Sequence, residues 1–344
     1  MIGLAKLAPG AAKLELTERP ERDPGPGEVL LEVHGCGVCG TDLHIEAGEY
    51  VSLPPLTLGH EVSGVVAAVG EGVEATWLDA RVVCETFFST CGRCRWCRDG
   101  RVNLCPERRS IGTHVDGGFA PRLVVPVRNL HRIPDGLDAY AAALTEPLAC
   151  ICHTLLNPAV VTPGERVLVA GPGPMGALAA QVARALGGEV LVAGLPADAA
   201  RLAVAAELGF ATTDERPEPN AFDVVVEASG SAGGIRACLE SIARGGRFAQ
   251  VGIAGRDVAI PFDLVLTKEL AIATGFASTP RAWRHAIAMI ERRDIALAPL
   301  VTEVAPLTEW ERVFADLRAS RGMKVVLDPR LRSSRPLEKR ENHA

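Results

Sequence analysis

The 344-residue chain contains no run of about 18 uninterrupted apolar residues, so the sequence predicts no membrane-spanning helix. Its most apolar stretch, Ala139 to Val161, is broken by Glu146, Pro147, His153 and Pro158. A basic excess is also lacking: 36 Lys and Arg against 42 Asp and Glu leave a net charge of −6, which argues against a surface built for phosphate backbones or anionic lipid. The N-terminus, Met1 to Lys6 followed by Pro9-Gly10, has neither a basic n-region nor a long apolar h-region. No signal peptide and a cytoplasmic location are therefore expected. What is present in quantity is hydrophobic, 48% of residues against 23% charged, a balance that excludes a disordered chain. At about 150 residues per domain the length suggests two domains. The 10 cysteines, without a secretory signal, point to metal ligands or buried thiols rather than disulfides.

The first 150 residues or so read as short β-branched strands punctuated by Gly and Pro, among them Glu28 to His34, His60 to Val69 and Arg81 to Glu85. Such spacing predicts an all-β, barrel-like unit. After Pro163-Gly164 the pattern changes to strands alternating with helices: strand at Arg166 to Ala170, Ala-rich helix from Pro174, strand at Glu189 to Ala193, helix to Leu208, then strands near Phe222, Arg247 and Leu270. That alternation predicts βαβ units and a parallel sheet. Thr213 to Ala221 should hold a crossover helix, yet its polar composition and two prolines predict a loop. A last strand at Lys324 to Leu327 is expected to rejoin the first unit, and the charged tail from Pro329 to fray.

Three groups of residues carry chemistry. Cys91, Cys94, Cys97 and Cys105 place four thiolates so close together that they would repel unless a soft cation held them, and tetrahedral Zn²⁺ suits four sulfurs. A closed four-sulfur site has no open position and is structural. Arg93, Arg95, Arg98 and Arg101 on this lobe would also suit a nucleic-acid zinc ribbon, a reading that the acidic chain opposes. Gly171-Pro-Gly173-Pro174-Met175-Gly176 opens a helix directly after a strand, the context in which G-x-G-x-x-G cradles a dinucleotide pyrophosphate. The acidic residue expected at the end of the next strand is missing. Gly194 stands there, which leaves NAD and NADP open, with Arg201 as a candidate phosphate partner. Finally, Cys39-Gly-Thr41-Asp42-Leu-His44 and Gly59-His60-Glu61 supply thiolate, imidazole and carboxylate, a mixed set suited to a catalytic zinc with one position free.

These motifs, in this order, resemble the zinc-containing medium-chain dehydrogenases of the alcohol dehydrogenase superfamily, in particular the polyol (sorbitol or L-iditol 2-) and threonine dehydrogenase branch. The resemblance runs from about Gly27 to Pro329 and includes Glu146-Pro147. It implies a GroES-like β-rich catalytic domain, residues 1–148 and 280–344 with the zinc lobe at 91–105, and a Rossmann domain with a doubly wound parallel sheet at 149–279. It further implies two zinc ions per chain, one catalytic and one structural, with NAD or NADP. Cys39 and His60 are implied as catalytic zinc ligands, with Glu61 or Glu146 as the third. Asp42 would orient His60, Thr41 and His44 would relay the substrate proton, and Lys324 would meet the cofactor pyrophosphate.

The implied reaction is reversible oxidation of a secondary alcohol of a polyol, sugar or cyclitol. Amino-alcohol oxidation, as in threonine 3-dehydrogenase or an aminocyclitol dehydrogenase, is the alternative. From another class comes a zinc-stabilised dinucleotide- or nucleic-acid-binding protein, opposed by the retention of Cys39 and His60. The expected partners are a small-molecule substrate and further copies of the chain, a homodimer or homotetramer pairing near Leu270 to Thr274, with no nucleic acid and no membrane. His114, in a Gly-rich turn, is read as a turn residue before a cleft group, and Cys150 as either a core thiol or a nicotinamide contact.

Overall fold

Parallel pairing of Val- and Ala-rich segments builds the central sheet. The computed structural model describes residues 1–332; residues 333–344 of the charged tail lie outside the described residues. Six parallel strands run in the order Ala211–Thr213, Glu189–Ala193, Arg166–Ala170, Phe222–Glu227, Ile242–Gln250, Ala271–Thr274. This is the doubly wound order, with its reversal between Arg166–Ala170 and Phe222–Glu227. Val167, Leu168 and Val169 and their neighbours Val224, Val225 and Val226 are fully buried. Each such side chain contributes roughly 1.5–3 kcal/mol relative to exposure. The helix Pro174–Ala185 starts with Gly173 as its N-cap and Pro174 at its first position, and lies close on the sheet because its inner face is mostly small: Ala177, Ala179, Ala180 and Ala183.

The loop expected at Thr213 to Ala221 is there. Ala211–Thr213 connects to Phe222–Glu227 with no helix between, and an Arg216–Glu240 ion pair ties the loop to the following helix.

The other unit is β-rich. Its main sheet runs Leu130–Arg132, Arg81–Cys84, Glu61–Val69, Glu28–Gly37, Lys324–Asp328, Val301–Pro306, with Arg122–Pro126 also paired to Glu28–Gly37. The strand Lys324–Asp328, the last among the described residues, therefore sits inside this sheet, antiparallel to Glu28–Gly37. A smaller sheet joins Leu14–Glu18, Ile2–Lys6 and Leu56–Thr57.

The boundary drawn at 148/149 falls inside the helix Thr145–Leu156. Leu148, Ile151, Cys152 and Leu155 from that helix share one buried core with Val167 and Val224 of the parallel sheet and with Val83 and Val326 of the β-rich unit. The same helix accounts for the apolar stretch 139–156, which is 78% buried inside the protein.

Candidate active site

The zinc lobe has almost no core of its own: within 91–105 only Asn103 and Cys105 are buried. The four sulfurs of Cys91, Cys94, Cys97 and Cys105 lie within 4.8 Å of one another, and Cys91 Sγ is 3.9 Å from Cys97 Sγ. Zinc–sulfur bonds of about 2.3 Å in a tetrahedron require sulfurs about 3.8 Å apart, so the set fits. The Cys94 amide donates to Cys91 Sγ at 3.3 Å, and such amides pull the Cys91 thiol down to about 7.

The second donor set is assembled by strand register. Glu61 opens the strand Glu61–Val69 opposite Gly37, and its carboxylate folds across that glycine: a Cβ on Gly37 would lie 2.0 Å from Glu61 Oε2. Cys39 precedes the helix Gly40–Ala47, where its amide donates to Asp42 Oδ2 at 2.9 Å. One donor atom each from Cys39, His60 and Glu61 falls within 4.8 Å of the others. Glu61 Oε2 is buried with no hydrogen-bond partner, as are His60 Nδ1 and Asp42 Oδ1. Burial opposes a charged His60 ring, but Asp42 and Cys39 together outweigh it and raise its pKa. A buried pocket with that field and an orphaned carboxylate oxygen suits a divalent cation.

The structure revises several expectations around this set. His60 Nδ1 stands 3.7 Å from Asp42 Oδ1, an ion-pair distance rather than a hydrogen bond. The buried ammonium of Lys324 donates to Glu61 Oε1 at 2.6 Å and to the Val38 carbonyl at 3.1 Å, because its strand pairs beside Glu28–Gly37. Burial alone would depress Lys324; Glu61, Cys39 and Glu146 together more than reverse that. Glu146, in the first turn of its helix, accepts from Thr86 Oγ1 at 2.9 Å and from Cys150 Sγ at 3.5 Å. Burial raises its pKa, as does the nearby Glu61. Thr41 Oγ1 is 3.7 Å from Cys39 Sγ, and His44, one turn on, is half-exposed with Nδ1 2.7 Å from Glu49 Oε2.

The dinucleotide loop is built as the spacing requires. Gly171 adopts φ +104 with its open side against Ser229, and a Cβ on Gly176 would strike the Gly171 carbonyl at 1.9 Å. At Gly173 the nearest atom to such a Cβ is Arg201 Nη1 at 3.9 Å, so Arg201 covers the open side of the loop, its Nε donating to the Gly322 carbonyl at 3.0 Å. Met175 follows Pro174 in the first helical turn. Glu227, buried at the end of its strand, accepts from the Ser229 amide at 2.9 Å and Gln250 Nε2 at 2.7 Å and so fixes the loop facing Gly171. The fingerprint alone does not point to Glu227 or Thr86, since their partners are set by tertiary contact.

Gly194 has a steric cause. A Cβ there would lie 2.9 Å from Pro172 Cγ and 3.1 Å from Pro172 Cδ, so the proline within the Gly-rich loop excludes the acidic side chain. Gly194→Asp is expected to cost about 1–3 kcal/mol through overpacking. Pro172→Ala should recover much of that loss, read as non-additive midpoints in chemical denaturation. Stability unchanged in the single variant would sink this account.

A six-stranded doubly wound sheet with a Gly-rich phosphate loop, a four-sulfur lobe and a Cys–His–Glu centre together define a zinc-dependent, nicotinamide-linked oxidoreductase. Residues 25–135 match the alcohol dehydrogenase GroES-like domain and residues 174–292 the zinc-binding dehydrogenase domain. The chain is 34% identical to a sorbitol dehydrogenase of Halalkalibacterium halodurans, over 96% of this chain and 99% of that one. It is 32% identical to a D-arabitol-phosphate dehydrogenase of Enterococcus avium, over 95% and 97%. The crystal structure of a zinc-binding dehydrogenase from Sinorhizobium meliloti 1021 bound to NADP matches with a TM-score of 0.87 at 31% identity, covering 95% of this chain and 99% of that one. The protein belongs to the zinc-binding dehydrogenases with an alcohol dehydrogenase GroES-like domain, and its cofactors are zinc and NAD or NADP.

Proposed function

We propose that the enzyme oxidises a secondary hydroxyl of a polyol, sugar or cyclitol to the ketone, reversibly, and that it works as a cytoplasmic homodimer or homotetramer. The observation that carries the reaction is the convergence of Cys39, His60 and Glu61 within 4.8 Å beside the buried Glu146. Cys39, His60 and Glu61 would hold the zinc. Glu61 is favoured over Glu146 because its Oε2 is orphaned while Glu146 Oε1 is engaged by Thr86 and Cys150. When bound, zinc supplies Lewis acidity that brings an alcohol's pKa toward neutrality.

The remaining work falls to the chain. Lys324 fixes one oxygen of Glu61 and thereby aims the other. Thr41 Oγ1 is placed to take the hydroxyl proton, and His44, on the same helix face, to deliver it to water. Gly171, Gly173, Pro174, Met175 and Gly176 cradle the pyrophosphate, with Arg201 over the loop, and hold the nicotinamide against the carbon that gives up hydride.

Initial rates with NAD and NADP, crossed with polyols, sugars, cyclitols, aminocyclitols and threonine, test the reading. Turnover confined to the hydroxyl compounds supports it; turnover of threonine or aminocyclitols alone overturns it. His44→Gln should lower kcat about 100-fold near neutral pH, with recovery at alkaline pH where hydroxide replaces the relay. An unchanged pH profile would remove His44 from the proton path. Light scattering that gives a monomeric mass would discard the oligomer.

A further inference from the structure

Arg108 makes no side-chain hydrogen bond and no ion pair among the described residues, although its Nε is buried. Its guanidinium carbon instead lies over two aromatic rings, 5.0 Å from the Phe276 centroid and 5.9 Å from the Phe87 centroid. Phe276 follows the outermost parallel strand, Ala271–Thr274, and Phe87 opens the strand Phe87–Ser89 of the β-rich unit, so the cation stands where the two domains meet. Aromatic rings stabilise a guanidinium without using its N–H donors, which stay available to a planar acceptor. An unpaired buried donor is destabilising, and an arriving acceptor would relieve that.

The surroundings connect this cation to the reacting centre. Phe87 is adjacent to Thr86, whose hydroxyl holds Glu146, and the Ile111 amide donates to the Thr86 carbonyl at 3.0 Å. The turn that follows packs on the residue before His60: a Cβ at Gly112 would lie 2.7 Å from the Gly59 carbonyl. His114 is in that turn, with Nδ1 3.3 Å from the Ser110 amide; burial lowers its pKa, and Arg108 and Arg109 add to that. Two basic groups thus flank the segments that hold Glu146 and precede His60, and Arg108 has no carboxylate to neutralise it among the described residues.

We propose that Arg108, with His114 beside it, binds an anionic group on the substrate, a phosphate or a carboxylate, so that the oxidised hydroxyl belongs to a polyol phosphate or an aldonate rather than to a neutral polyol. The inference rests on the dehydrogenase reading above and specifies its substrate class. A substrate whose hydroxyl is at Cys39, His60 and Glu61 extends past Thr86 and pairs its anion with the free edge of Arg108. Charge-assisted bidentate pairing favours guanidinium over any neutral donor at such a point.

The test compares kcat/KM for matched neutral polyols, polyol phosphates and aldonates in the wild type, Arg108→Gln and His114→Gln. In parallel, inorganic phosphate is titrated calorimetrically into the cofactor-saturated enzyme, where the dinucleotide's own phosphate sites are filled. The expected result is a preference for one anionic series, with KM for that series raised about 10- to 100-fold in Arg108→Gln and phosphate binding lost. Whether phosphates or aldonates are preferred names the anion. A merely structural role for Arg108 would lower turnover of neutral and anionic substrates equally, and that result overturns the proposal. So does phosphate binding that is absent in the wild type or unaltered in Arg108→Gln. Efficient turnover of neutral polyols with no anionic preference removes the subsite and leaves the dehydrogenase reading standing. Failure of every hydroxyl substrate removes that reading instead, and the phosphate titration still decides for or against the subsite.

Discussion

Cys39→Ser is expected to lower kcat/KM about 1000-fold or more, and elemental analysis should find the structural zinc retained and the catalytic zinc lost. Lewis-acid stabilisation of a developing alkoxide contributes several kcal/mol, and each 1.36 kcal/mol is tenfold in rate. The variant separates chemistry from folding. Cys39 is also the N-cap of the helix Gly40–Ala47, and serine is among the best residues at such a position. The helix should therefore keep its stability while the thiolate ligand is lost. Full activity, or loss of activity with both zinc ions retained, would contradict the assignment of Cys39 as a ligand.

Cys97→Ser should act in the opposite sense, through stability first. The lobe's buried residues are too few to hold it, so metal binding and local folding are one process, worth on the order of 10 kcal/mol in small zinc modules. Opening of the lobe would expose Arg93, Arg95, Arg98 and Arg101 to trypsin. Rapid cleavage within 91–105 is expected in the variant and slow cleavage in the wild type. The lobe also carries Asn103, which donates to the Phe276 carbonyl at 2.9 Å, so its loss should loosen the junction with the parallel sheet and lower the thermal midpoint. Because protons compete for the thiolates, zinc should leave the wild-type lobe more readily as pH falls. Equal cleavage rates in variant and wild type would exclude a structural role for the metal.

Both metal clusters and the phosphate loop were legible because each is written in a short stretch: four cysteines within 91–105, a strand and a glycine pattern within 166–176, and ligands separated by a single turn or a strand pairing. The loop at Thr213 to Ala221 was legible for the same reason, since its prolines act locally. What was not legible depends on partners far apart. The bond of Lys324 to Glu61, 263 positions away, is a contact fixed only by sheet order. Thr86 reaches Glu146 across 60 positions. The missing acidic residue at Gly194 was read as a question about the cofactor; its cause is the ring of Pro172 on a different segment. The helix Thr145–Leu156 blurred the domain boundary because it packs on strands of both units within one shared core.

The position of the Lys324–Asp328 strand bears on how the protein is made. It lies between Glu28–Gly37 and Val301–Pro306, so residues as far as Asp328 must leave the ribosome before the sheet around Glu61 is complete. The parallel sheet, whose strands all lie between residues 166 and 274, is able to form earlier. Until Lys324 emerges, the Glu61 carboxylate would be buried without its cation, an arrangement that costs several kcal/mol. The nascent β-rich unit should therefore stay loose, with Cys39 and His60 apart, until Lys324 has been made. Acquisition of the catalytic metal then comes after the dinucleotide half already has its shape.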